Sequence, residues 1–467
     1  MEVLQRTANR GSISTGYDID NSLKLESDNS EYLKAEGRPA GNQQVWTWSC
    51  WLKRTEVNNG VVAQYMFSAG SDGKLGLYFR DDSSSTGGDT IFIYVDEGNS
   101  LKWIGELRVS FRDTSAWYHI VIAVDSTDGT AADRTKIYVN GVQQTITFNA
   151  TLNQNSNTRI GDGGGKLSIG AKMDGSYEFN GYMAEVVLVD GSQLTPTSFG
   201  EFDDDSGIWK PKDVSSLSLG NAGFYMNFDD SSNLGKVQTG TNQGNFDLNN
   251  ITAADQATDT PTNNGCTLNV LASLEGSNDI TEGALVSTGK AGGGGNFNGT
   301  YGTMGIDPFN SSVDWYWEIE TSIGTSGSDT DIGIGWIKES RITSGSTAYN
   351  NVYADGISRY SSQTANAAGD IWGVLLETGA TPVMKLYRND SLIYTSTHGS
   401  GGVSFDTLMF PYITVKGTSV DARLNFLNPA SSFSIASGNT DPNGYGNFEF
   451  DPKGGYALCT KNLAEYG

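Results

Sequence analysis

At 467 residues the chain exceeds what one hydrophobic core organises and points to two or three domains. With 59 glycines, 10 prolines, 11% aromatics and only 18% charged residues, it reads as many strands and tight turns, and no stretch places apolar residues at helical spacing. Its 54 acidic against 30 basic residues, net −24, argue against nucleic acid or anionic membrane as partners, both of which select clustered Lys and Arg.

No apolar run approaches the roughly 18 residues of a membrane span, and the first residues lack the apolar core of a signal peptide. The expectation is a chain made in a cytoplasm, with no membrane insertion and no signal-directed export. Cys50, Cys266 and Cys459 are odd in number and far apart. They fit no metal spacing or disulfide framework and read as buried, reduced thiols.

Residues 1–18 are polar and aperiodic, the pattern of an arm. From Ser22 short alternating segments recur: Ser22–Leu25, Val45–Leu52, Leu75–Phe79 and Ile91–Val95. The strongest pair is Trp117–Val124 followed by Lys136–Gly141, where β-branched and aromatic residues alternate up to an Asn-Gly turn. Leu167–Gly170, Ala184–Val189 and Gly223–Phe228 follow. The polar stretch 229–264 then marks a boundary near Gly265, and Gly292–Gly295 reads as a loop. Further strands fall at Trp315–Glu320, Asp331–Ile337, Asp370–Leu376, Met384–Arg388 and Met409–Val415. The predicted fold is all-β: two antiparallel β-sandwich domains of jelly-roll type in tandem, 19–265 and 266–467, behind the arm 1–18.

These segments carry resemblances. SLKLESDNSEYL from Ser22, TWSCWLKR at Thr47–Arg54, WYHIVIAVD and TKIYVNGV within Trp117–Val142, and FNGYMAEVVLVDGSQLTPTSFGEF at Phe179–Phe202 resemble the laminin-G and pentraxin-like branch of the concanavalin-A-like sandwiches. From about Cys266 to Leu463, WYWEIE, IGIGWI, GDIWGVLLE, LYRNDSLIYTS and FDPKGGYALCTKNL resemble a SPRY-type sandwich. The combination, with DTPTNNGCTLN between the halves, is similar to large virion proteins of tailed bacteriophages, marine ones especially. That resemblance implies release by lysis and localisation in a virion.

Catalytic patterns are sparse. The concanavalin-A-like fold includes glucanases that carry a Glu-x-Asp-x-x-Glu triplet on one strand; here that spacing occurs once, at Glu26, Asp28 and Glu31, across a Ser-Asp-Asn-Ser run that reads as a turn and not as an alternating strand. Glu318 and Glu320, two apart on one strand, share a face; paired carboxylates near Trp315 and Trp317 would suit glycoside chemistry. The plainer reading puts the tryptophans in the core and the glutamates in solvent. His119 reads as a packing or hydrogen-bonding residue, and His398 has no acid near it in sequence. No Gly-x-Ser-x-Gly elbow occurs, so no enzyme is expected.

Laminin-G-like domains imply calcium at a sandwich rim, which directs attention to Asp125, Asp128, Asp203 and Asp205, and to Asp162, Asp174, Asp229 and Asp230. Their spacing matches no calcium loop, so solvated turn aspartates are the first reading and a bound Ca²⁺ the second. Glycan binding needs exposed aromatics with amides or carboxylates beside them. Tyr349, Asn350, Asn351, Tyr353 and Asp355 offer that set, in a loop that SPRY-type domains use for binding.

The expected function is a non-enzymatic bacteriophage virion protein, a tail or head fibre or decoration protein, presenting lectin-like sandwiches to a host surface polysaccharide. Its arm would join other virion proteins, and the chain would be a homo-oligomer, with a trimer the expected state. The alternative is an architectural cement or adaptor protein, and the third reading is a carbohydrate-active enzyme.

Overall fold

The computed structural model describes residues 16–57, 63–70, 74–80, 88–97, 100–240, 244–272, 278–289, 298–322, 332–344, 367–400, 403–415 and 421–467. The chain divides into two compact units, Ser14–Thr262 and Asn263–Gly467. Both are built from antiparallel sheets, apart from a short parallel pairing of Tyr456–Ala457 with Trp315–Thr321 in the second, and the fold is the all-β sandwich type that the strand pattern predicts. Among the described residues no helix is long and apolar enough to cross a membrane.

In the first unit one sheet runs, in spatial order, Val142–Gln143, Thr135–Val139, Tyr118–Asp125, Val45–Arg54, Gly181–Asp190, Ser22–Leu25 and Gln256–Ala257, with Phe224–Met226 also paired to Gly181–Asp190. The second runs Thr147–Ala150, Ser100–Leu107, Thr90–Glu97, Leu75–Arg80, Ala63–Ala69, Gly165–Ile169, Tyr32–Arg38 and Asp247–Asn249. Alternation sends Trp46, Trp48, Cys50 and Leu52 inward, against Phe67, Leu77, Phe79, Ile91 and Ile93 of the facing sheet. The Asn-Gly turn forms as predicted. Asn140 at φ 47° and Gly141 at φ 79° give both central residues the left-handed backbone of a type I′ hairpin.

The polar stretch after Asp229 does more than close the domain. Leu234, Phe246 and Ile251 enter the core, and Asp259 forms a buried ion pair with Lys53 at 2.7 Å. Tyr17, which the sequence places in the arm, packs on this unit beside Trp51, Trp117 and Trp209.

In the second unit the main sheet runs Asn278–Thr281, Val286–Gly289, Asp421–Asn425, Trp315–Thr321, Ile371–Glu377, Val383–Arg388 and Ser391–Thr397. Asn298–Tyr301, Met409–Val415 and Ile332–Lys338 form the smaller sheet. Trp315, Trp317, Ile319, Trp336, Trp372 and Ile413 build the core between them.

The expectation that Glu318 and Glu320 point to solvent is overturned. They share a face, yet Glu318 is wholly buried and Glu320 nearly so. The chain beyond Phe426 folds back over that face, bringing Leu427, Phe448 and Ala457 against Tyr316 and Leu375. Glu318 accepts hydrogen bonds from the Glu449 and Phe450 amides (2.9 and 2.8 Å) and from the Tyr316 hydroxyl (3.0 Å). Burial pushes its carboxyl up to about 7. Glu320 accepts from the Ser434 amide. Both carboxylates serve to anchor the returning chain.

Candidate functional site

The two outer faces of the first sandwich differ, and the difference locates the site. The outer face of the sheet containing Val45–Arg54 is covered by residues 194–225. Phe199, Val214 and Leu219 pack on Val121, Val187 and Val189, which is why the Val45–Arg54 strand is buried almost throughout and not half-solvated as its alternation suggests.

Beneath that cover Ser49, Trp51, His119, Glu185 and Lys212 come together around a gap too small to hold a water molecule. His119 lies between two indoles, its ring centroid 4.6 Å from Trp51 and 5.9 Å from Trp209. The Trp209 Nε1–H can only donate, so His119 Nδ1 is its acceptor at 2.9 Å, and the Nε2–H then donates to Ser49 Oγ at 2.8 Å. Burial holds the imidazole down to about 3. With both nitrogens engaged and no charge at neutral pH, His119 has neither a lone pair nor a proton to offer a substrate.

Glu185 sits at the register break of Gly181–Asp190, with the left-handed backbone φ 51° that a bulge permits. Its carboxyl accepts from the Tyr225 hydroxyl at 2.8 and 2.9 Å and from the Tyr17 hydroxyl at 3.4 Å. Burial raises it to about 7. This face is a sealed polar core.

The opposite sheet leaves an aromatic group on its outer face. Tyr65, Tyr78 and Phe92 stand directly across from one another on adjacent strands. The Tyr65 and Tyr78 rings are 4.8 Å apart and 14° from parallel, the spacing of the strands themselves, so they stand on edge like neighbouring books. Tyr177 continues the stack at 6.0 Å from Tyr65, and the Tyr94 hydroxyl meets that of Tyr65 at 3.2 Å. Gly76 makes the arrangement possible: a Cβ there would lie 2.3 Å from the Tyr94 ring and 2.7 Å from that of Tyr65.

Within the stack the ring faces are used on each other. Tyr65 and Phe92 are buried, Tyr78 and Tyr94 half-buried, and Tyr177, at the end, is 43% exposed. Tyr177 also holds φ 58°, a conformation that costs a bulky residue about 1–3 kcal/mol and is kept where the surroundings enforce it. The enforcement is visible. Its carbonyl accepts from the Tyr65 amide at 2.9 Å, and the preceding turn is closed by Gly175 N to Lys172 O and Lys172 N to Ser176 O. Lys172 and Asp174 form an exposed ion pair on that turn, 3.2 Å apart. Ser176 donates its hydroxyl and amide to Asp174, which lies below its ordinary value chiefly through the hydroxyl bond. An exposed phenol ring flanked by a cation, a carboxylate and further phenol hydroxyls can stack on a sugar and hydrogen-bond its hydroxyls.

Of the residues singled out from the sequence, Tyr349, Asn350, Asn351, Tyr353 and Asp355 lie outside the described residues. Asp125 and Asp128 form local turns, accepting from the amides of Thr127 and Thr130. Asp203 accepts from the amides of Asp205 and Ser206 and pairs with Lys210, and these bonds, the Ser206 amide first, hold it near 2. Among the described residues no three or more His, Cys, Asp or Glu converge as a metal site would require. The His398 Nδ1 accepts from the Phe405 amide, a loop-fixing bond.

The aromatic group escaped sequence reading for a physical reason. The strands Leu75–Phe79 and Ile91–Val95 show alternation, yet alternation cannot distinguish an aromatic pointing to the core from one on the open face. The available signal was Gly76, a small residue flanked by apolar ones within a strand.

A family model described as the concanavalin A-like lectin/glucanases superfamily matches residues 27–197, a range that includes Tyr65, Tyr78, Phe92 and Tyr177. A comparison with curated proteins finds no match. Among solved structures, a heptameric SAP-like pentraxin from Limulus polyphemus is 16% identical, with 43% of this chain and all of that one covered and a TM-score of 0.30. Domain 4 of the arabinanase AbnA from Geobacillus stearothermophilus, in complex with arabinotriose, is also 16% identical, covering 38% of this chain and 73% of its own, TM-score 0.27. A human SPRY domain is 12% identical, covering 30% of this chain and 90% of its own, TM-score 0.22.

Proposed function

We propose that this chain is a carbohydrate-binding protein that performs no chemistry, and that the tyrosine stack of the first unit is its contact surface. Tyr177 carries this reading: an exposed aromatic ring, held in a strained backbone at the open end of a stack, on a domain matched by a lectin/glucanase family model. The roles of Glu318, Glu320, Glu185 and His119 as internal hydrogen-bond partners favour binding over hydrolysis.

At a finer level, we read the chain as a bacteriophage virion protein, a fibre or decoration component directed at host surface polysaccharide. The sequence resemblance over both halves supports this, as does the strongly acidic, strand-rich composition. The loop Tyr349–Asp355 is retained in this proposal as a second glycan contact. The purified chain is expected to bind a subset of glycans on an array; no signal across bacterial surface polysaccharides would refute the adhesive reading and leave the architectural one. Imaging of intact particles with an antibody to the chain tests the virion assignment.

A further inference from the structure

We propose that Arg38, in the first unit, is the receptor of an oxyanion site and takes a carboxylate or phosphate group bidentately on Nε and Nη2. The strand Tyr32–Arg38 aims this side chain inward by a local device. Leu33 and Ala35 face the core, so strict alternation would turn residue 37 inward and Arg38 outward. Arg38 and Ala35 instead stand opposite Gly165 and Leu167, which gives the strand one extra residue. Gly37 absorbs it with a left-handed φ of 67°. The bulge drives Arg38 into the sandwich, where it is only 5% exposed. Its guanidinium lies 5.4 Å from the centre of the Phe224 ring and 4.8 Å from that of Phe246.

Nη1 donates to the Gly244 carbonyl at 2.8 Å. Nε and Nη2 are shut off from solvent and have no acceptor among the described residues. These two groups share one edge of the guanidinium, the fork that receives both oxygens of a carboxylate or two of a phosphate. Ring faces attract the cation but cannot accept that pair of hydrogen bonds.

The other buried arginines are answered from within the chain. Arg54 pairs with the Asp89 carboxylate, and Arg134 gives Nε, Nη1 and Nη2 to the carbonyls of Asp128, Leu152 and Gly129. Arg38 differs. The chain has 54 acidic residues, yet burial alone acts on this guanidinium, lowering it to about 10 with no carboxylate opposing the shift. A buried charge with unmet donors is costly, and here a bulge and a left-handed glycine are spent on creating it. An oxyanion from outside the chain supplies the missing charge and both acceptors. Gly244, in contact with Nη1, is exposed, so the guanidinium lies one residue from solvent.

Titration calorimetry of the full chain with sodium phosphate and with sodium glucuronate, at matched ionic strength in chloride buffer, tests the site and separates a free anion from a sugar-borne carboxylate. Saturable one-site binding of at least one of them is expected. It should be at least about tenfold weaker in Arg38→Lys, which keeps the charge without the fork, and absent in Arg38→Met. Without either oxyanion, Arg38→Met should melt no lower than the wild type, since it removes the buried charge together with its unmet donors. In saturating oxyanion the wild type should melt higher. No saturable binding of either probe, binding retained by Arg38→Met, or an Arg38→Met variant that melts lower even without oxyanion would each overturn the proposal.

Discussion

The two outer faces of the first sandwich are chemically alike and have opposite fates. Each carries aromatic rings and hydroxyls in cross-strand register. On one, residues 194–225 return and seal His119 and Glu185 beneath Trp209, Phe199 and Val214. On the other, the tyrosine stack ends at an exposed ring. Polar groups under a cover are satisfied internally and contribute to stability; polar and aromatic groups on an open face are available to a ligand. Substitutions on the two faces should therefore separate stability from binding.

The largest effect belongs to the covered side. Asp259→Ala strands the buried Lys53 ammonium and removes the acceptor of the Trp117 indole. Urea unfolding should show a loss of about 3–5 kcal/mol. A loss under 1 kcal/mol would mean that this ion pair is solvated and the cover loose.

A pH series sharpens the contrast next. Glu185 and Glu318 are buried with carboxyls raised to about 7, and Glu31, also raised by burial, lies at about 7. Their unfolded values lie near 4.3, so the folded state holds extra protons between the two. Stability from these groups is complete below about pH 4.3 and is lost as pH rises to 7. The melting temperature should fall between pH 5 and pH 7.5, and Glu185→Gln should flatten that slope. A melting temperature that rises over this interval contradicts the burial of these carboxyls.

Gly76→Ala tests the open face from within. Its methyl would occupy the space of the Tyr94 and Tyr65 rings, costing about 1–3 kcal/mol by overpacking and splaying the stack. Glycan binding should weaken with it. An unchanged affinity would remove the stack from the site.

Much of the fold was legible in the sequence. The alternation in Trp117–Val124 with its Asn-Gly turn, and the Trp-rich strand Trp315–Glu320, state their period plainly, because burial on one face enforces a repeat of two. The fate of each second face was not legible. Whether Thr47, Ser49, Glu318 and Glu320 meet solvent depends on distant segments, residues 194–225 and those after Phe426, that fold back over finished sheets. The candidate site was hidden for a different reason. Tyr65, Tyr78 and Phe92 are consecutive across strands, not along the chain, so no motif announces them.

Tyr177 decides the central claim, and Tyr177→Gly is its cleanest probe. Glycine accepts φ 58° without strain, so relief of strain offsets the loss of packing and stability should change by less than about 1 kcal/mol. Titration calorimetry against a glycan identified on the array should show binding to the wild type and at least a tenfold loss in Tyr177→Gly at near-identical melting temperature. Equal affinity of the two proteins would contradict the account and move carbohydrate recognition away from the open face.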